Sequence, residues 1–182
     1  MNVKVKATII DSEGLARTLT RLAHEIIEKN KGSKGLAIIG LRTRGDFIAR
    51  RIAAKIEEIE GTKLEIGTLD VSLYRDDFRI ALKHPEVQLS EISFDIDGKH
   101  VILIDDVLYT GRTIRAALDA LMDYGRPASI QLAVLVDRGH REIPIAPDYI
   151  GKNIPTSIGE EVRVKMTEID DEDCVLLVDV EV

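Results

Sequence analysis

Two adjacent carboxylates, Asp105 and Asp106, stand directly before a hydroxyl- and glycine-containing turn, Tyr109-Thr110-Gly111-Arg112-Thr113, in the run VILIDDVLYTGRT of residues 101–113. The two halves of this run suit the two ends of one ligand. Such a turn at the start of a helix gathers backbone N–H groups, the positive end of the helix dipole and hydroxyls, which is the equipment of a phosphomonoester site. Carboxylates repel phosphate but accept hydrogen bonds well from vicinal hydroxyls. A ribose 5-phosphate satisfies both halves, its phosphate on 109–113 and its 2′- and 3′-hydroxyls on Asp105 and Asp106. The same carboxylates suit Mg²⁺ held through water, an ion that takes hard oxygen ligands and substrate phosphates.

Two further polar loops follow apolar runs. Leu36-Ala37-Ile38-Ile39-Gly40 empties into Leu41-Arg42-Thr43-Arg44-Gly45, and SIQLAVLV of residues 129–136 empties into Asp137-Arg138-Gly139-His140-Arg141. Arg42 and Arg44, with the N–H groups of Thr43 and Gly45, make a plausible pyrophosphate pocket. Leu64 to Tyr74 reads as a strand carrying Asp70 and leading to Tyr74-Arg75-Asp76-Asp77. The mixed stretch beyond it reads as a lid over roughly 74–92, able to close Tyr74 and Arg75 over a reactive sugar phosphate and exclude water, or as an ordinary surface hairpin.

The elements that must hold these loops are legible from the apolar pattern. Val101 to Ile104 are continuously apolar, as in a parallel strand covered on both faces, and ligands collect at the carboxyl ends of such strands. Residues 3–10 suggest an edge or entry strand. A helix is expected over 12–30, capped by Asp11 or Ser12 and closed by Gly32, with Leu15, Leu19, Leu22, Ala23, Ile26 and Ile27 inward. On another face Arg17, Arg21, His24 and Glu28 follow helical spacing with Thr20 beside them, either a solvated face or a surface for a polyanion. Helices are expected over about 46–59, ending at Gly61, and about 113–124, ending at Gly125 and Pro127. The segment 143–159 reads as an irregular lobe holding one short strand and folded over the site. Two strands, Val162–Met166 and Cys174–Val180, close the chain around the acidic turn Asp170-Asp171-Glu172-Asp173, which lacks the spacing and glycine of a calcium loop.

Composition narrows the classes. The chain has 182 residues, 45% apolar and 31% charged, suited to one domain with a substantial core. Its net charge is −7, and residues 160–182 alone carry nine acidic and two basic side chains, so the rest is neutral overall. That balance opposes non-specific nucleic-acid binding but leaves room for a local basic face. There is no signal-like apolar segment, no run long enough to span a membrane and no cysteine pair, which together read as a cytoplasmic protein. A P-loop and a dinucleotide fingerprint are both absent.

VILIDDVLYTGRT resembles the phosphoribosyl pyrophosphate motif of type I phosphoribosyltransferases. With Leu69-Asp70 through Tyr74-Arg75-Asp76-Asp77, AVLVDRGHRE and DYIGKNIPTS, the resemblance extends over roughly 10–180 to the bifunctional regulators that attenuate pyrimidine operons and act as uracil phosphoribosyltransferases. It implies an α/β fold in a single domain, 1–182, with a central, mostly parallel five-stranded sheet flanked by helices and a small hood from roughly 1–12 and 143–182. It implies conversion of uracil and phosphoribosyl pyrophosphate to UMP and pyrophosphate, with Mg²⁺. It also implies binding of a leader mRNA stem-loop under the control of UMP or UTP, in a homodimer or higher oligomer.

Under that resemblance Arg42, Arg44, Tyr74, Arg75, Asp105 and Asp106 carry catalysis. Thr43, Gly45, Val107, Leu108, Tyr109, Thr110, Gly111, Arg112, Thr113, Asp137 and Arg138 hold substrate, and Asp105, Asp106 and Asp137 meet the metal directly or through water. Arg17, Thr20, His24, Arg141 and Lys152 match the RNA surface. Ala146 and Ile158 depart from it, standing where the family usually has arginine, and arginine or lysine. Two other readings use the same sugar-phosphate site: a purine enzyme, for which Pro147-Asp148-Tyr149-Ile150-Gly151 resembles a hood motif, and an RNA-binding nucleotide sensor without turnover.

Overall fold

A computed structural model describes residues 3–72 and 90–180. Among these residues, eight strands and four helices follow in the order β1 (Val3–Ile10), α1 (Ser12–Asn30), β2 (Leu36–Leu41), α2 (Arg44–Glu60), β3 (Glu65–Leu69), β4 (His100–Leu108), α3 (Arg112–Met122), β5 (Ser129–Asp137), β6 (Tyr149–Asn153), β7 (Glu160–Lys165), α4 (Thr167–Asp170) and β8 (Cys174–Val180). Five strands form one sheet in the order β3-β2-β4-β5-β6, every pair parallel. The expected parallel sheet is thus present.

The continuous apolar runs are explained by helices on both faces. Ile38, Ile102, Ile104 and Leu135 bury against α1 and α2, while their neighbours Ile39, Val101, Leu103 and Val134 bury against α3. Following the chain, β2 hands on through α2 to β3 on one side, and β4 hands on through α3 to β5 on the other. The order therefore reverses between β2 and β4. At that switch point the carboxyl ends of the two strands open a crevice, and the register Gly40 to Ile104 brings Arg42 and Asp105 to the same edge.

β1, β8 and β7 pair antiparallel as a second, three-stranded sheet. We refer to this small sheet, with α4, as the hood; it shares its core with α1 and α2 through Ile10, Val164, Met166 and Val175. The expected hood boundaries, 1–12 and 143–182, divide here: Tyr149–Asn153 pairs with β5 as the fifth strand of the main sheet. Only Tyr149 in that strand is buried, so its sequence shows little alternation. Gly151 lets it approach, since a Cβ there would lie 2.3 Å from the Leu135 carbonyl oxygen.

The α1 cap forms as expected at Asp11, whose carboxylate accepts from the Gly14 N–H at 2.7 Å. Its other end differs slightly. Lys31 takes the left-handed position at φ 57° and Gly32 follows, its N–H reaching the Ile27 carbonyl at 2.9 Å. Arg44 and Gly45 belong to the first turn of α2 rather than to the loop before it. Tyr74, Arg75 and most of the 74–92 lid lie outside the described residues. The return from that segment is fixed at Glu91, whose backbone exchanges hydrogen bonds of 2.8 and 3.0 Å with Thr68 on β3.

The acidic turn near the C-terminus is used for docking. Arg44 and Arg51 are two helical turns apart on α2 and so share a face. Arg51 binds Glu168 at 2.7 Å and Asp173 at 2.7 Å, while Arg44 binds Asp170 at 2.8 Å. The Arg51 guanidinium holds the Asp173 carboxyl down at about 2. An unfolded aspartate titrates near ~3.9, so this stabilisation is present above roughly pH 4 and is lost as pH falls through about 2. Asp173→Asn is expected to lower stability at pH 7 by about 1–2 kcal/mol. Urea unfolding of both proteins checks this, with the gap closing as the pH approaches 2.

Candidate active site and nucleic-acid face

The central motif is built by the end of β4 and the start of α3. Asp105 is buried, Asp106 half-buried, and Gly111 opens α3 with φ 92°, a conformation that favours glycine. The carbonyl oxygens of Leu108, Tyr109 and Thr110 are drawn away toward the loop after β5. Leu108 O accepts from Arg138 N at 3.1 Å, Tyr109 O from Arg141 Nη1 at 2.8 Å, and Thr110 O from Glu142 N and Ile143 N at 3.0 and 3.1 Å. Turning the acceptors outward leaves a cavity of about 360 Å³ lined by Asp105, Val107 to Ile114 and Glu142. Its position at the N-terminus of an 11-residue helix suits an anion.

The arginine loop abuts this cradle directly. A Cβ on Gly45 would lie 2.6 Å from the Ile104 carbonyl oxygen and 3.2 Å from Asp105 Cα, so only glycine allows the approach. The peptide joining Arg42 to Thr43 is cis. Arg42 N donates to Leu69 O at 3.0 Å and its guanidinium stands 3.7 Å from Glu91. Arg44, expected to neutralise a leaving group, is instead turned to the hood. Its guanidinium forks onto both oxygens of Asp170 at 2.8–3.2 Å. The arginine loop and the two carboxylates are brought together; the Arg44 side chain is committed elsewhere.

Loop 137–141 also differs from expectation in its detail. Both oxygens of Asp137 are engaged, one by Gly139 N at 3.0 Å and the other by Arg141 Nη2 at 2.5 Å. These two bonds brace the loop. Arg138 lies over the Tyr109 ring at 4.0 Å and donates to Thr156 Oγ1 and the Glu160 carbonyl, so it ties the cradle to the hood rather than facing the phosphate cavity. His140 meets the same ring edge-on at 6.0 Å. Together Tyr109, Arg138, His140 and residues 157–161, at the start of β7, line a second cavity of about 310 Å³. Ile158, fully exposed, is on its rim.

The residues expected to meet RNA separate into two places. Arg17 and Lys152 line one open groove of about 580 Å³ between β1, α1 and β6, joined by Arg21, which donates to the carbonyls of Ile150 and Gly151 at 3.2 and 2.6 Å. His24 is exposed further along α1, and Thr20 is half-buried with its hydroxyl on Ala16 O at 3.0 Å. Arg141 is not on this groove. It bridges Asp137, Tyr109 O and Ile145 O, a clamp on the phosphate turn. Neither Ala146 nor Ile158 lines the groove.

Two contributors escaped the sequence reading. Glu142 lines the phosphate cavity and accepts from Arg112 Nε at 2.7 Å, and Asp170 anchors Arg44. Glu142 follows DRGHR directly, a proximity that marks it; nothing local marks Asp170.

A parallel sheet with its switch point between an arginine loop and a carboxylate-led phosphate turn defines a type I phosphoribosyltransferase. The chain belongs to that class: the phosphoribosyl transferase domain family matches residues 7–169. Within it, the chain belongs to the PyrR family. It is 55% identical over 174 residues to the bifunctional protein PyrR of Pelotomaculum thermopropionicum, covering 96% of each chain. It is 59% identical over 167 residues to that of Latilactobacillus sakei, covering 91% of this chain and 93% of the relative. Among solved structures, the hypoxanthine phosphoribosyltransferase of Trypanosoma cruzi shares the fold with a TM-score of 0.74 at 19% identity, covering 97% of this chain and 98% of that one. Among the described residues no helix is long and apolar enough to cross a membrane.

Proposed function

We propose that this chain converts uracil and phosphoribosyl pyrophosphate to UMP and pyrophosphate, and that it also binds a pyrimidine-operon leader mRNA stem-loop in response to UMP or UTP, so that transcription is attenuated. The carrying observation is the apposition of the Gly45 turn to Asp105, which sets a cation-bearing loop beside a ribose-phosphate cradle. Membership of the PyrR family supports the bifunctional reading.

In this mechanism the N-terminus of α3 and the hydroxyls of Thr110 and Thr113 take the 5-phosphate. Asp105 and Asp106 take the ribose hydroxyls. Arg42 and the backbone of its loop stabilise the leaving pyrophosphate as positive charge develops at C1, so catalysis rests on alignment and electrostatics without a protein nucleophile. Uracil enters the cavity under Tyr109, Arg138 and Ile158. Asp105 and Asp106 fit Mg²⁺ through water. When bound, that ion neutralises phosphate charge.

The groove of Arg17, Arg21 and Lys152 supplies the RNA surface in this reading, in a homodimer or higher oligomer. Titrating a leader stem-loop across a salt series, with and without UMP, alongside an assay of uracil-dependent pyrophosphate release, tests both halves. Lys152→Ala is expected to weaken RNA binding several-fold and to make the salt slope shallower by roughly 0.7–0.9 for each phosphate no longer neutralised, with uracil turnover unchanged. UMP-insensitive RNA binding no stronger than to a scrambled stem-loop would remove the regulatory half. Failure to use uracil where hypoxanthine or guanine is used would reassign the enzyme.

A further inference from the structure

We propose that Asp170, on the hood, is a positioning residue for the pyrophosphate-binding loop, acting through Arg44. The inference rests on the reading of Arg42–Gly45 as the pyrophosphate loop. Arg44 is the first residue of α2, one peptide beyond Thr43, so any bond that fixes its side chain also fixes where the loop leaves β2. The contact is a fork: Nη2 reaches both Asp170 oxygens at 2.8 and 3.1 Å, and Nε reaches Oδ2 at 3.2 Å. Asp170 is itself held, because Oδ2 accepts from the Met166 N–H at 2.9 Å and Met166 is wholly buried in the core. The loop is therefore pinned from two sides, by Gly45 against the backbone of β4 and by Arg44 against the hood.

Charge and burial agree with this role. The Asp170 side chain is 20% exposed and that of Arg44 is 33% exposed. Burial pushes the Asp170 carboxyl upward, but the Arg44 guanidinium and the Met166 N–H bring it below its ordinary value, so this carboxyl is held in its ionised form. A planar guanidinium on a carboxylate fixes orientation as well as distance. The Arg51 clamp two turns further along α2 makes a built-in comparison, since it docks the same hood segment without touching the loop.

The test uses the full chain and four variants, Asp170→Asn, Arg44→Ala, their double variant and Arg51→Gln. The readouts are KM for phosphoribosyl pyrophosphate, kcat, calorimetric affinity for inorganic pyrophosphate and for UMP, and Tm. A misplacement on the ångström scale costs reactivity steeply, so Asp170→Asn is expected to raise KM for phosphoribosyl pyrophosphate and Kd for pyrophosphate by about tenfold. UMP affinity stays within about twofold, as UMP does not occupy that loop. Arg44→Ala matches this loss, and the double variant adds little to either single change. Arg51→Gln lowers Tm yet leaves both pyrophosphate readouts in place. Pyrophosphate bound equally or more tightly by Asp170→Asn overturns the proposal, as does an equal KM rise in Arg51→Gln. Should the unaltered chain neither turn over uracil nor bind pyrophosphate, the reading of the loop itself fails, and the positioning role falls with it.

Discussion

The double variant Asp105→Asn with Asp106→Asn is expected to lower kcat/KM for phosphoribosyl pyrophosphate by about 10²–10⁴-fold, at one charge-assisted hydrogen bond per carboxylate, each contributing roughly 1.5–3 kcal/mol. Each carboxylate is an acceptor for a ribose hydroxyl in the proposed complex, and each also stabilises the positive charge that develops at C1. Asparagine keeps the shape and one acceptor but removes that charge. The part of the loss that comes from charge at C1 should appear in kcat, because that charge exists only in the transition state, and the part that comes from the ribose hydroxyl bonds in KM. Folding is expected to survive. In the free protein the local bonds of these side chains are to neighbouring backbone, Asp105 Oδ1 to Asp106 N at 2.9 Å and Asp106 Oδ1 to Val107 N at 2.8 Å. An amide oxygen can still accept from the same two N–H groups. Steady-state kinetics with a thermal unfolding curve for the same preparation checks both statements. Wild-type kcat in the double variant would remove the carboxylates from catalysis.

The residues that made this site legible share one property: their chemistry is local to the ends of apolar runs. Val101 to Ile104 and Ala133 to Val136 are continuously apolar because helices cover both faces of the sheet, and the first charged residues beyond them mark the carboxyl edge. Adjacent strand ends then imply adjacent loops. Side-chain direction is a different matter, because it depends on partners far away in sequence. Arg44 and Asp170 are 126 residues apart, and no periodicity couples them. The acidic run 170–173 looks like a solvated turn until α2 presents Arg44 and Arg51 to it. Arg141 is similar: its sequence neighbours suggest a free basic loop, whereas carbonyls of Tyr109 and Ile145 and the Asp137 carboxylate absorb its guanidinium. β6 was legible only as one short strand somewhere within 143–159, for another reason. A five-residue edge strand needs little apolar alternation when one buried tyrosine and one close-packed glycine fix it. Tyr74 and Arg75 remain readings of the sequence.

Departures from the family pattern acquire a sharper meaning once placed. Ile158 lines the cavity under Tyr109 and Arg138, not the Arg17–Lys152 groove. In this chain, an apolar side chain therefore frames the proposed base pocket where the resemblance led to the expectation of a cation. Apolar contact favours the face of a flat ring, so within a single subunit the exchange bears on base binding more directly than on RNA affinity. The groove retains its own three cations, and those are the positions whose removal the salt series reads.

Gly45→Ala carries the other large effect, on the fold and the site together. The added methyl would sit 2.6 Å from the Ile104 carbonyl oxygen and 3.2 Å from Asp105 Cα, and both are backbone atoms of the central strand. No rotamer change relieves such a contact, so α2 or β4 must shift. Overpacking of this kind costs about 2–3 kcal/mol, and the shift separates the arginine loop from the carboxylates it serves. Gly61→Ala is the matched comparison. Gly61 has φ 68° at the other end of α2, but open space surrounds its Cβ position. Its cost is the left-handed backbone alone, about 1–2 kcal/mol, with no displacement of the site. Urea unfolding should therefore show both variants destabilised, while pyrophosphate affinity falls about tenfold or more only in Gly45→Ala. Equal pyrophosphate affinity in the two variants would mean that the close approach of α2 to β4 serves packing and not the chemistry at the switch point.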